Sequence, residues 1–204
     1  MKRIKRRWMS GLVFLMVFAA LTALAAQERA TRIVRFVPDA LAARSDRLGN
    51  CWTGSIASPR PDAWRCMVGN EIFDPCFSPP HGNLVVCDAN PAKGVPGFRL
   101  NLTGPLPKQD MPAGSSNLEA GSGWLIQLAD GALCRPSTGA SGMVGGKVMR
   151  YYCESRKKGQ YVSLLDDLDS SKPLWTAEKA TTVMGPQGPK LIKSERIGIR
   201  IVWQ

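Results

Sequence analysis

Histidine is almost missing from this chain: His81 stands alone among 204 residues. Chemistry that relies on imidazole as base, acid or metal ligand therefore has a single residue to work with. No two cysteines have C-x-x-C spacing, which argues against a thioredoxin-like redox site and against a zinc knuckle. There is no G-x-S-x-G elbow of the kind that presents a nucleophilic serine. The glycine-rich stretch 139–147 is not a phosphate loop, because Ser141 and Val148 break the required pattern. The acidic run 166–171 lacks the glycine and closing glutamate of a calcium loop and reads as a solvated turn. No cofactor and no metal site is expected. Long apolar runs are missing as well. The longest, 12–24, has thirteen residues, where a membrane-spanning helix needs about twenty.

That short run has a definite context. Lys2, Arg3, Lys5, Arg6 and Arg7 precede it without an acid, and Ala23-Leu24-Ala25 follows it. A basic segment, an apolar segment and an A-x-A site make a signal peptide over 1–25, with an uncleaved membrane anchor as the alternative. Arg6-Arg7 has flanks that fit a twin-arginine signal poorly, and no cysteine at the end of the run marks a lipoprotein. The predicted mature chain, 26–204, keeps 22 of the 27 Lys and Arg against all 16 acids, a net charge of +6. Such a balance favours weak attraction to an anionic cell-envelope polymer or lipid head groups. Nucleic acid is not expected as a partner, and membrane contact is expected only through an uncleaved signal segment.

All six cysteines (Cys51, Cys66, Cys76, Cys87, Cys134, Cys153) lie in the mature part. An even set in an exported chain predicts disulfides. Six cysteines allow fifteen pairings. Turn-forming residues between neighbours favour the sequential one: 51–66, 76–87 and 134–153. Closing loops of this size contributes roughly 3 kcal/mol each in the chain-entropy view.

Short β-rich segments separated by Gly and Pro predict a mainly β, compact, disulfide-stabilised domain over 26–204. Strands are expected at 32–37, 64–68, 84–87, 98–102, 124–128, 148–154, 161–165 and 174–182. One or two helical turns are expected over 39–48, with Asp39 as N-cap. Asp74-Pro75 reads as the start of a turn, and Asp130-Gly131 as the centre of one. Residues 104–122 hold a Gly, Pro and Ser-rich stretch that reads as an exposed linker, dividing the domain into two sub-lobes. Near the C-terminus, Ile197, Ile199, Ile201 and Trp203 fall two apart, which places all four on one face of a strand.

The densest stretch is 51–77. It contains C-W-T-G-S from Cys51, then R-P-D-A-W-R-C from Arg60, then G-N-E-I-F-D-P-C-F from Gly69. From Cys51 onward the chain resembles a group of uncharacterised exported bacterial proteins, often actinobacterial, with that pattern. Trp124, Asp130-Gly131, Cys134, Cys153 and Trp175-Thr176 fit it too. The resemblance implies an extracytoplasmic single domain and brings no activity with it.

Two functions remain for this stretch, beside a third possibility of a purely structural envelope protein. One is a non-catalytic extracytoplasmic module that binds a cell-envelope component or a protein partner. Its candidate contact residues are Arg60, Asp62, Arg65, Asn70 and Asp74, with the basic run 156–158. In the alternative structural role, Arg60, Asp62 and Arg65 form ion pairs and caps around the disulfides. The other function is an envelope hydrolase using Ser55 or clustered carboxylates. It requires two or more of Ser55, Asp62, Glu71, Asp74, His81 and Asp88 to converge in one cleft, since a serine hydroxyl needs a base within hydrogen-bond reach.

Overall fold

The computed structural model describes residues 30–79, 84–109, 122–155 and 157–204. The predicted signal peptide, His81, Arg156 and most of the linker (110–121) lie outside them. Among the described residues no helix is long and apolar enough to cross a membrane. The fold is mainly β, as the composition predicts, and among the described residues the one helical element is a 3-10 turn at Pro91–Lys93.

Five strands build a small barrel: β2 (Asp46–Gly54), β3 (Ala63–Val68), β4 (Glu71–Phe77), β5 (Leu84–Cys87) and β6 (Phe98–Leu102). They follow one another as an antiparallel meander, and β6 then closes on β2. An odd number of alternating strands sends the first and last in the same direction. The closing pair is accordingly parallel, with Leu48 beside Asn101. Inside lie Val85, Phe98, Leu100 and the two disulfides Cys51–Cys66 and Cys76–Cys87.

The remaining strands make a larger barrel: β7 (Leu125–Leu128), β8 (Leu133–Pro136), β9 (Met143–Val144), β10 (Lys147–Cys153), β11 (Gln160–Asp169), β12 (Thr176–Gly185) and β13 (Gly188–Trp203). The ring β7-β8-β10-β11-β12-β13 has six members, so its closing pair, β13 with β7, is antiparallel. Strand β1 (Arg32–Val34) adds to β13 in parallel, and β9 pairs with the start of β10. The third disulfide, Cys134–Cys153, links β8 to β10. All three bridges join residues directly opposite one another on antiparallel strands, in the sequential pairing.

Several expectations are corrected. No helix forms over 39–48. The Asp39 carboxylate does accept hydrogen bonds from the Leu41 and Ala42 amides, but this caps a lone turn before β2 begins. Asp74-Pro75 is not a turn. It is a cis peptide inside β4, at a register shift opposite β3, where a proline lacking its N–H is tolerated. Strand β11 runs through Asp169 and absorbs much of the supposed acidic turn. The C-terminal alternation also breaks. A bulge between Ile199 and Ile201 shifts the register against β7. Ile197, Ile199 and Val202 pack on the large-barrel core, whereas Ile201 and Trp203 pack between the barrels. An extra residue in one strand exchanges the faces of everything beyond it.

The start of the linker is half-buried rather than free. Leu106 packs on the small-barrel core, and the Gln109 amide donates to the Ala63 carbonyl at 2.9 Å. Between the barrels sits a shared core of Ala57, Ala63, Phe77, Trp124, Leu125, Leu133 and Trp203. Phe36, Phe77 and Trp124 contact one another there, with ring centroids 5.0 to 5.2 Å apart, in the tilted and edge-on arrangements that aromatic quadrupoles favour.

Candidate functional site: a cleft between the barrels

Four basic side chains stitch the barrels together, and two of them are the arginines that the sequence offers as contacts. Arg60 is 3% exposed. Its guanidinium pairs with Asp62 and donates to the carbonyls of Phe36 and Gln204 at 3.0 and 2.9 Å. It also lies over the Phe77 ring. Arg65 donates to Asp74 at 3.1 Å and to the Thr138 carbonyl of the large barrel at 2.7 Å. Arg135 reaches the other way, to the Ala89 carbonyl, with its guanidinium near Trp124. Burial pulls the Arg135 pKa below its ordinary value, against the opposing pull of Asp88 and Glu154. Lys93 and Glu154 form the fourth link at 2.6 Å.

Asp74 is the centre of a knot. Its side chain is 2% exposed. One oxygen accepts from the Ser55 hydroxyl at 2.5 Å and from the Ala57 amide, and the other accepts from the Ile56 amide and Arg65. Ser55 Oγ in turn accepts from the Ser58 amide at 2.9 Å. A hydroxyl that donates to one carboxylate and accepts from one amide is held in place rather than poised for attack. The knot fixes the 55–59 loop.

That loop is one wall of a cleft of about 700 Å³. Ile56, Ala57 and Pro59 line it from the small barrel; Pro136, Ser137, Arg150, Tyr151, Asp167 and Leu168 line it from the large one, with Ser122 at its edge. Arg150 and Asp167 face each other at 3.7 Å, and the Tyr151 hydroxyl accepts the Gly123 amide at 3.4 Å. The lining is mixed, with polar and apolar surface in comparable share; an interface between two units is a common place for a ligand site, and this volume lies within the usual range of roughly 300–1,000 Å³.

The other candidates are dispersed. Asn70 is exposed in the two-residue turn joining β3 and β4. Glu71 and Asp88 share a shallow depression with Arg47, whose guanidinium lies 4.3 Å from the Phe98 ring centroid. Lys157 and Lys158 are exposed in the turn between β10 and β11. Two pairs of the hydrolase candidates meet, Ser55 with Asp74 in the knot and Glu71 with Asp88 at the depression. Ser55 meets only Asp74, Asp62 is taken by Arg60, and His81 lies outside the described residues. Sequence reasoning missed Ser137, Arg150, Tyr151 and Asp167. No local signal could have found them, because the cleft exists only once two distant segments pack.

Comparison with known protein families, with curated proteins and with solved structures finds no match.

Proposed function

We propose that this protein is a non-catalytic extracytoplasmic binding module whose ligand, a cell-envelope component or a segment of an envelope protein, occupies the cleft between the barrels. The cleft itself carries the reading, with Ile56, 59% exposed, offering apolar contact opposite the Arg150–Asp167 pair. Three disulfides support an oxidising, extracytoplasmic setting. The buried Ser55–Asp74 knot makes a poor hydrolytic centre, since both groups are spent on holding one wall.

The test is co-sedimentation of the exported, oxidised protein with purified cell-wall material at low and high salt, alongside the rim variant Ile56→Asp. Pelleting that survives high salt and is lost in Ile56→Asp is the expected result. Pelleting abolished by salt alone reduces the association to net charge and overturns the cleft reading. No pelleting at either salt overturns the envelope-polymer form of the proposal.

A further inference from the structure

A second cavity, of about 400 Å³, lies on the large barrel and shares no lining residue with the cleft. Arg32 of β1 and Arg200 of β13 both line it, together with Ala30, Ala129, Leu174, Gly198 and Ile201. The parallel register sets Arg32 beside Ile201, so Arg200 is one step along the adjoining strand.

Most basic residues of the neighbouring strands are paired. Lys147 is paired with Glu178, Lys179 with Asp130 and Glu195, Lys193 with Glu195, and Arg196 with Asp169. Arg32 and Arg200 have no acceptor among the described residues, and no acid lines their cavity. Two guanidiniums bordering one cavity repel each other, and a bound oxyanion removes that cost. The small side chains of Ala30 and Ala129, and Gly198, leave room for it. Leu174 and Ile201 offer apolar surface to whatever carries it.

We infer that Arg32 and Arg200 form a binding site for a phosphate ester. A guanidinium presents a rigid fork of donors that fits carboxylate or phosphate in bidentate fashion. One fork satisfies a planar carboxylate. Two forks arriving from adjacent strands suit a tetrahedral phosphate, whose oxygens point in several directions. The same chemistry occurs in a phosphodiester-linked envelope polymer and in a lipid head group, and the probes below separate them.

The experiment is titration calorimetry on the exported, oxidised protein at about 0.15 M salt, where long-range surface attraction is largely screened. The probes are a short glycerol-phosphate oligomer and phosphatidylglycerol vesicles, with phosphatidylcholine vesicles as blank. The double variant Arg32→Gln/Arg200→Gln is compared with Lys172→Gln/Lys190→Gln, which removes the same charge elsewhere on the surface. Both arginines are exposed, so an unchanged melting temperature shows that the fold survives. Loss of charge-assisted hydrogen bonds predicts binding weaker by about tenfold or more in the arginine variant, with the lysine control close to wild type. Tighter binding of the oligomer identifies a polymer, and tighter binding of vesicles a lipid surface. Equal losses in the two variants, or no binding of either probe by wild type, overturn the proposal. Neither variant touches the cleft, so failure here leaves the cleft reading standing, and failure of that reading leaves this one.

Discussion

Asp74 shows how residue-scale reading divides into what sequence can and cannot say. Charge and spacing single it out, and it does matter, but as an acceptor that holds a loop rather than as a contact for a ligand. The distinction rests on its burial and on the amides of Ile56 and Ala57, neither of which is written locally. Asp74→Ala is expected to cost about 3 kcal/mol, because Arg65 loses its partner and two amides lose their acceptor. Asn70→Ala, in an exposed turn, is expected to stay within about 0.5 kcal/mol of wild type. Urea unfolding of both variants checks this; equal stabilities would mean the knot is held by something other than Asp74.

Among the elements, legibility followed turn chemistry. The Asp130-Gly131 turn forms as expected: Gly131 has φ 84°, and the Asp130 carboxylate accepts the Ala132 amide. Strands β5 and β6 match their expected bounds, since each is a compact run of β-favouring residues ending in turn formers. Strand β2 escaped notice because Gly49 and Asn50 weaken its pattern, yet Gly49 is there for a reason. A Cβ at this position would lie 2.2 Å from the Met67 carbonyl oxygen. Gly49→Ala is therefore expected to push β2 off β3 and cost about 2 kcal/mol or more. Gly145, at φ 58° in the β9–β10 turn with open space around it, should accept Asn at nearly no cost. Thermal melts of the two variants give the comparison, and a Gly49→Ala protein as stable as wild type would refute the close approach. The bulge in β13 lay beyond any period-2 reading, because one inserted residue is decided by what β7 requires.

For the whole molecule, the even cysteine count, the linker and the β-rich composition foretold two disulfide-bearing lobes, while the shared aromatic core between them was invisible. That core predicts a single cooperative calorimetric transition rather than two. Its acid dependence follows from the carboxylates of the large barrel. Glu178 is held below its ordinary pKa chiefly by its hydrogen bond with Lys147, Asp169 by Ser171, and Glu195 by Lys193. Groups depressed in the folded state contribute stability above their unfolded pKa, about 4, and lose it as pH falls through the folded value. The melting temperature is expected to be nearly flat from pH 7 to about 5 and to fall steadily below about 4. A melting temperature that rises on acidification would contradict the ion pairs seen here.

The nearest-neighbour disulfides carry one more consequence. Each joins cysteines only 15, 11 or 19 positions apart. A chain threaded through a membrane pore end first therefore presents both members of a pair within a short stretch, before the next pair emerges. Oxidation can proceed in order of arrival, with each correct partner also the first one met. Were the protein exported in this way, an oxidant at the pore exit would matter more to it than an isomerase to repair wrong pairings.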